Sequence, residues 1–179
     1  MNAMSIELRK IDISHTELPY FKVLYEQSFP PEERRPWNDV VRQIEYNSRF
    51  SFYEILKDSD TVGFITLWNL DSVFYGEHFA IDPSRRNGGL GGVAFDTLLA
   101  SLDMPFVCEV EHAGSTPEAA SRIGFYVRHG LVGLNDYDYM QPPYAPGLPS
   151  VSLMLMTDAP ADIDPADVTR MIHHHVYGC

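Results

Sequence analysis

A glycine-rich segment between a predicted strand and a predicted helix constrains this chain more than any other feature. The segment reads Arg86-Asn87-Gly88-Gly89-Leu90-Gly91-Gly92; an apolar run that ends at Ile81 precedes it and a helix-like run from Val93 follows it. Glycine has no Cβ, so its backbone can approach a ligand closely, and the first N–H groups of a helix have no partner within the helix. Phosphate oxygens are suited to such N–H groups. The segment therefore predicts a phosphate-binding loop at residues 86–92.

Two familiar nucleotide-binding motifs fit this segment poorly. A Walker A loop requires a lysine that the segment lacks. The dinucleotide fingerprint matches formally at Gly89 and Gly91, with Glu109 about 20 residues further on. However, residues 82–86 separate the strand from the first glycine, and too little chain follows for the second half of a doubly wound sheet. We favour a third motif, Arg-x-x-Gly-x-Gly, which begins at Arg86.

This motif and a second segment together resemble the GNAT superfamily of N-acetyltransferases. The second segment is Phe125-Tyr126-Val127-Arg128-His129-Gly130-Leu131, which is similar to the family pattern Phe-Tyr-x-x-x-Gly-Phe, with leucine in the last place. Two motifs in the right order and separation are more specific than either alone. The resemblance covers roughly residues 4–157. The alternative is a glycine-rich turn that only packs a helix against a sheet.

The resemblance implies an α/β fold of the GNAT type, a layered fold with a mixed sheet. Its central sheet would be mostly antiparallel with one splayed parallel pair, and helices would lie on both faces. Hydrophobic periodicity and turn residues agree with that arrangement. They predict strands at about 5–11, 50–57, 61–70, 73–81, 106–111, 131–140 and 151–156, and helices at about 18–28, 38–46, 93–102, 117–129 and 164–176.

Element ends and domain limits can also be predicted. Asn38 is the expected cap of the second helix, and Pro117 is expected in the first turn of the fourth. No linker rich in Gly, Ser or Pro divides the chain, so we expect one domain over residues 4–179. Met1-Asn2-Ala3 is either a vector-derived remnant or a disordered start.

The resemblance assigns acetyl-CoA as the cofactor and implies where it binds. The backbone N–H groups of Asn87, Gly88, Gly89, Leu90, Gly91 and Gly92 and the side chain of Arg86 would meet the phosphates. Main-chain groups of Phe79, Ala80 and Ile81 would hold the pantetheine arm. Many family members carry an asparagine after the fifth strand, which this chain lacks, so Ser115 or Arg122 would take its place.

Acetyl transfer to an amine needs a proton for the departing thiolate and a route for the proton that the amine loses. The resemblance assigns the proton donor to Tyr126, which could instead be a core aromatic beside Phe125. We predict Glu77 as the first candidate base, because its apolar strand neighbours would raise the pKa of its carboxyl group. Glu111 is the second candidate. Either carboxylate could instead anchor the substrate, with the proton leaving through water.

Several other residues that could suggest a functional site are expected to have structural roles instead. His78 would point to the face of its strand opposite Glu77, so we expect it to pack. Glu109 shares a strand face with Glu111. The triplet His173-His174-His175 places consecutive side chains about 100° apart on a helix, so we predict no metal site. Cys108 lies in an apolar run and is expected to be a reduced core thiol.

Composition limits the partners of the chain. Its 179 residues carry a formal net charge of −12 and 45% hydrophobic residues. Nucleic acids and anionic membranes attract clustered Lys and Arg, so neither is an expected partner, whereas a cationic substrate is compatible. No apolar stretch approaches the ~20 residues that span a bilayer, and we expect a cytoplasmic protein. A homodimer is left open.

The sequence as a whole predicts an acetyl-CoA-dependent N-acetyltransferase. Its acceptor would be a primary amine of a small molecule, peptide or protein, and the acetyl group would pass directly within a ternary complex. The alternative is a catalytically silent acyl-CoA-binding module that senses the cofactor or regulates a partner.

Overall fold

The computed structural model describes residues 5–179, which form two compact units. The first unit consists of the chain up to Leu67 together with Glu77–Ser101, and the second of Trp68–Gly76 together with Leu102–Cys179. The expectation of a single domain over residues 4–179 stays a prediction. The predictions for residues 1–4 lie outside the described part of the chain.

Within residues 5–179, eight strands and five α-helices follow the predicted order closely. The strands are β1 (Ile6–Lys10), β2 (Phe50–Lys57), β3 (Asp60–Asn69), β4 (Phe74–Ile81), β5 (Phe106–Val110), β6 (Val132–Gly133), β7 (Tyr139–Gln141) and β8 (Val151–Thr157). The helices are α1 (Leu18–Ser28), α2 (Trp37–Tyr46), α3 (Leu90–Ser101), α4 (Ala119–Arg128) and α5 (Pro165–Ile172). Single 3₁₀ turns lie at Pro31–Glu33 and Pro83–Arg85, and a π-helical turn, His173–Tyr177, continues α5.

The first unit holds a meander of strands in the order β1-β2-β3-β4. β1 pairs with β2 in antiparallel register from Ile6↔Lys57 to Lys10↔Tyr53. Short turns join β2 to β3 and β3 to β4, which makes these pairs antiparallel too. Aromatic side chains fill the core between the strands and α1, where the rings of Phe52 and Phe64 stack with centroids 5.0 Å apart. This unit therefore positions the end of β4 and the glycine-rich loop that follows it.

The second unit contains the parallel pair that the sequence predicted. The first residues of β4 pair in parallel with β5, in register from Phe74↔Phe106 to Gly76↔Cys108. β8 pairs antiparallel with β5, and both β6 and β7 pair antiparallel with β8. Because one sheet contains both kinds of pairing, the predicted mixed sheet is confirmed. The parallel ladder covers three residues of each strand, although both strands continue beyond it.

Three local predictions are wrong, each for a local physical reason. Asn38 does not cap α2, because the carbonyl of Pro36 already accepts from the N–H groups of Asp39 and Val40 and the helix begins at Trp37. Helix α4 begins at Ala119, two residues after Pro117, and Thr116 Oγ1 accepts from the Ala119 N–H.

The third correction concerns the strand predicted over residues 131–140. The structure has two short strands there, β6 and β7, separated by a turn in which the Tyr137 N–H donates to the Leu134 carbonyl. The two strands pair with opposite ends of β8. Asn135 and Asp136, two adjacent polar residues of types that favour turns, interrupt the apolar alternation there, and the prediction of one continuous strand passed over this local signal.

Candidate active site

The glycine-rich loop has a backbone shape suited to an anion. Asn87 has φ 69° and Gly89 has φ 73°, whereas Gly88 between them is not left-handed. Alternation of this kind turns successive N–H groups toward one point and forms an anion-binding concavity. An asparagine and a glycine are the residue types that tolerate a positive φ best. The loop conformation thus follows directly from its sequence.

The start of α3 adds N–H groups to this concavity. The helix begins at Leu90, and its first backbone bond runs from the Val93 N–H to the Gly89 carbonyl. The N–H groups of the first turn, residues 90–92, therefore have no acceptor within the helix. The positive end of the helix dipole lies at the same place. Both features favour phosphate.

The space around the loop fits a bound phosphate group. A Cβ placed on Gly88 or Gly89 would meet no atom of the described chain within 4 Å. The space next to both glycines is therefore open, as the close approach of a pyrophosphate requires. The residues present fit the phosphate end of acetyl-CoA.

Arg86 is held at the entrance of the loop by its own strand. Its Nε donates to the Ile81 carbonyl at 3.0 Å, and its backbone N–H bonds the Pro83 carbonyl at 3.5 Å. The residue is exposed. Since Nε is engaged, the terminal nitrogens at the far end of the guanidinium group project furthest toward a ligand. The neighbouring Arg85 instead forms an exposed ion pair with Asp60 at 3.4 Å.

The end of β4, where the pantetheine contacts were predicted, packs closely within the first unit. A Cβ on Gly63 of β3 would come within 2.3 Å of the Ala80 carbonyl oxygen. The ring of Phe79 stacks against Phe95 of α3, with centroids 6.0 Å apart. These contacts fix the backbone of residues 79–81, whose role in binding pantetheine stays a prediction.

Glu77 lies in a buried ion pair that the sequence did not reveal. Arg35 donates to Glu77 Oε1 from Nη2 at 2.5 Å and from Nε at 3.1 Å. The two side chains are 8% and 1% exposed, respectively. The phenol oxygen of Tyr25 accepts from the Arg35 N–H and donates to the Arg35 carbonyl, which fixes the backbone of that arginine. Arg35 was missed because 42 residues separate it from its partner.

His78 has the packing role predicted for it. Its ring meets Tyr25 and Phe29 edge to face, with centroids 4.9 Å and 4.6 Å away, and its Nε2 lies 3.0 Å from the Glu33 carbonyl oxygen. Burial lowers the pKa of His78, so the neutral imidazole is favoured in the folded protein. A neutral ring matches the aromatic surroundings.

In the second unit, Glu111 is also paired with an arginine. Its Oε1 accepts from Arg122 Nη1 at 2.5 Å. The Glu111 side chain is 11% exposed and that of Arg122 is 44% exposed. Arg122 comes from α4, the helix that also carries Tyr126. A base role for Glu111 requires the arginine to share this carboxylate with the acceptor.

Tyr126 lies in the last part of α4, beside Phe125 as predicted. Its ring meets Phe125 edge to face with centroids 5.3 Å apart, and its carbonyl accepts from the N–H groups of His129 and Leu131. Burial, more than the nearby Cys108, raises the pKa of Tyr126. The phenol therefore stays protonated near neutral pH, which is the form that a proton donor must have.

Glu109 is the centre of a tyrosine cluster that the sequence did not predict. The hydroxyl groups of Tyr139 and Tyr177 both donate to this carboxylate, Tyr177 at 3.1 Å to Oε1 and 2.9 Å to Oε2. The Tyr177 hydroxyl also lies 3.3 Å from that of Tyr144. No sequence signal connects these residues, because β5, β7, a loop and the C-terminal π-helical turn are far apart along the chain.

The predicted site residues thus fall into two groups. The first unit holds the whole phosphate loop, the end of β4 and Glu77, and the second holds Glu111 and Tyr126. Glu109 and Glu111, expected on one face of β5, have different partners, because β5 ends at Val110 and Glu111 already belongs to the following loop. Within residues 5–179, no group of three or more His, Cys, Asp or Glu side chains is arranged to hold a metal ion.

Comparison with known proteins identifies the family. The profile of the Acetyltransferase (GNAT) family matches residues 15–131. A solved structure of a protein from Bacteroides thetaiotaomicron assigned to the GNAT acetyltransferase family is 34% identical, with a TM-score of 0.89 over 97% of this chain and 99% of that one. This chain therefore belongs to the GNAT family of acetyltransferases, whose members use acetyl-CoA.

More distant solved structures share the fold. A GNAT family acetyltransferase from Elizabethkingia anophelis, solved with acetyl-CoA bound, is 13% identical with a TM-score of 0.56, covering 88% of this chain and 98% of that one. An acetyltransferase from Salmonella typhimurium that modifies the N-terminal serine of ribosomal protein L7/L12 is 14% identical with a TM-score of 0.63, covering 90% and 97%. A comparison with curated proteins gave no significant match.

The described chain offers nothing that could cross a membrane as a helix. Each of the helices in residues 5–179 is too short or too polar to span a bilayer.

Proposed function

We propose that this acetyltransferase transfers the acetyl group of acetyl-CoA to a primary amine of a small molecule, peptide or protein. The observation that carries the proposal is the loop at residues 86–92, whose positive φ values, open glycines and helix start are suited to a phosphate group. The net charge of −12 favours acceptors that arrive as cations. The cytoplasmic location and the homodimer stay predictions.

In this proposal, residues of the first unit supply the binding roles. The N–H groups of residues 87–92 and the guanidinium group of Arg86 bind the phosphates. Main-chain groups of Phe79, Ala80 and Ile81 would hold the pantetheine arm. Bound this way, acetyl-CoA supplies the activated acetyl group.

The proton transfers are assigned to one tyrosine and to one of two carboxylates. The amine nitrogen forms a bond to the acetyl carbon while the bond from that carbon to sulfur breaks. Tyr126 gives its phenolic proton to the departing thiolate. Glu77, or Glu111 in second place, accepts the proton that the nitrogen loses. To do so, the carboxylate must contact the acceptor nitrogen as well as its arginine partner, which is Arg35 for Glu77 and Arg122 for Glu111.

An amine panel tests the proposed reaction. The purified protein is incubated with acetyl-CoA and single amines, and free thiol is measured together with the mass of the acceptor. The panel includes polyamines, free lysine and peptides with free N-terminal amines, because the Salmonella neighbour modifies an N-terminal serine. We expect thiol release coupled to a 42 Da gain of one acceptor, about the mass of an acetyl group replacing a proton. Tight CoA binding without acetylation of any amine would favour the silent module.

A substitution in the loop tests the binding site itself. Gly91 is in the first turn of α3 without a positive φ, so Gly91→Val does not force valine into a left-handed backbone conformation. We expect the Kd of CoA, measured by calorimetry, to rise by at least about tenfold, because the side chain occupies phosphate space. Ala100→Val, at an exposed position of the same helix, is the matched control for a β-branched residue in a helix. Equal CoA affinity in both variants would indicate that the loop only packs α3 against the sheet and does not bind phosphate.

A further inference from the structure

The phosphate loop begins at an aspartate that organises its first turn. Asp82 Oδ1 accepts from the Ser84 N–H at 2.8 Å and from the Ser84 hydroxyl at 2.6 Å. The Asp82 carbonyl accepts from the Arg85 N–H at 2.8 Å, which closes the 3₁₀ turn leading to Arg86. The residues from Pro83 to Gly89 are all exposed. Since little else covers this stretch, its shape depends on how its first residue is held.

Asp82 is held from two sides within the first unit. Its backbone N–H donates to the Val62 carbonyl at 2.9 Å, which fixes the end of β4 against β3. Its second carboxylate oxygen, Oδ2, accepts from the hydroxyl group of Tyr20 at 2.9 Å. Tyr20 is half-buried on α1, and 62 residues separate the two partners along the chain. One oxygen of Asp82 thus shapes the loop, and the other attaches the loop to α1.

The charge of Asp82 makes its orientation important. The hydrogen bonds from Ser84, followed by that from Tyr20, lower the pKa of Asp82, so the carboxylate is ionised at neutral pH. A free carboxylate four residues before Arg86 could rotate and pair with that arginine or repel a phosphate. The Tyr20 hydroxyl, in a part-buried position, fixes the rotation of the carboxylate. Burial and the Asp82 contact raise the pKa of Tyr20, so its hydroxyl remains a donor.

We propose that Tyr20 is a positioning residue for the phosphate end of acetyl-CoA. Its hydroxyl holds Asp82, and Asp82 holds the turn that presents Arg86 and the N–H groups of residues 87–92. The inference rests on the proposed phosphate loop and extends it to a residue on α1. Through this contact, Tyr20 favours acyl donors that carry phosphates over those that lack them.

The test compares CoA with pantetheine, the fragment of CoA that carries no phosphate. In Tyr20→Phe we expect the Kd of CoA to rise by about five- to tenfold, within the net worth of one ordinary hydrogen bond, because Tyr20 acts on the ligand only through Asp82. The Kd of pantetheine should stay unchanged. A purely structural loss would weaken the binding of both ligands to the same extent. An equal rise in both Kd values, or an unchanged Kd of CoA, would therefore overturn the proposal. Tyr46→Phe, at a tyrosine 77% exposed on α2, is the matched control.

A double-mutant cycle tests the route through Asp82. Asp82→Ala alone should weaken CoA binding. Adding Tyr20→Phe to Asp82→Ala should cause no further loss of CoA affinity, because the Tyr20 hydroxyl then has no carboxylate to hold. Fully additive losses would overturn the route. Melting temperatures of all four proteins, measured without ligand, show whether each is folded. If the wild-type protein binds CoA no more tightly than pantetheine, the assignment of residues 86–92 as a phosphate site is wrong. That result differs from one in which only the proposed role of Tyr20 fails.

Discussion

Tyr126 is the residue whose chemical role can be separated most cleanly from its packing. Its phenol is kept protonated by burial, and Tyr126→Phe removes the hydroxyl while the ring beside Phe125 remains. We expect kcat to fall by ~10²-fold or more with little change in acetyl-CoA affinity, as for the loss of a positioned acid. Steady-state kinetics with an acceptor from the panel measure this.

The matched control for Tyr126 is Tyr137→Phe, which removes a hydroxyl from the turn between β6 and β7. Near-normal turnover in Tyr126→Phe, accompanied by a lower melting temperature, would assign Tyr126 to the core instead.

His78 makes the stability of the fold depend on pH in a predictable direction. Burial lowers its pKa below the unfolded value of about 6.5. At a pH below about 6.5, His78 therefore binds a proton more readily in the unfolded chain than in the folded chain. The free energy of unfolding decreases as the pH falls through that range. We expect the free energy of unfolding to decrease between pH 7.5 and 5.5, measured by urea titration, and to decrease less in His78→Phe.

The histidine comparison needs a control for the effect of replacing a histidine as such. His112→Gln changes an exposed histidine, and it should keep the wild-type pH dependence. An equal slope in His78→Phe and in the wild-type protein would show that His78 is not the titrating group.

At the scale of elements, one glycine allows β3 to pack tightly against the end of β4. A Cβ on Gly63 would lie 2.3 Å from the Ala80 carbonyl oxygen, and backbone atoms of β4 cannot move away cheaply. We expect Gly63→Ala to destabilise the protein by about 1–3 kcal/mol through overpacking. Urea denaturation gives the midpoint and slope.

Gly88→Ala is the control for Gly63→Ala, since its Cβ meets nothing within 4 Å and its φ is not left-handed. The control should unfold at nearly the wild-type urea concentration. If both variants have the same midpoint, the two strands have room that the structure does not show.

The buried pair of Arg35 and Glu77 shows how an element is attached rather than how it is formed. The segment between α1 and α2 contains three prolines and a short 3₁₀ turn, and it has few backbone bonds of its own. Tyr25 fixes the backbone of Arg35, and Arg35 meets Glu77 on β4. These contacts attach the segment to the first unit, because a buried charge is tolerated only when it is paired.

For the molecule as a whole, ligand binding should appear as added stability. A ligand that binds only the folded state adds about 2.7 kcal/mol at a hundredfold excess over Kd. For a chain of this length that corresponds to a rise in melting temperature of about 5–10 °C. Thermal unfolding with increasing acetyl-CoA measures this shift.

NAD is the control ligand, because the loop also matches the dinucleotide fingerprint formally. An unchanged midpoint at millimolar acetyl-CoA would contradict the cofactor assignment, and a shift with NAD would support the fingerprint. Neither outcome requires a known acceptor.

The sequence by itself determined most elements, the mixed sheet and the family. Helix α1 lies at the predicted residues because its apolar spacing and the prolines after it are local signals. The phosphate loop is local in the same sense, since its glycines and the helix start are contiguous in the chain. Composition and motif order were sufficient for the family because two separate motifs had to agree.

Tertiary structure alone decided which side chains meet. Arg35 with Glu77, Tyr20 with Asp82 and the tyrosines around Glu109 are joined across 30 to 68 residues of sequence. The sequence predicted that Glu77 and Glu111 were carboxylates near the chemistry, but it could not show that each meets an arginine. The physical reason is that periodicity records which face of an element is buried, whereas a charged pair depends on which other element packs against that face.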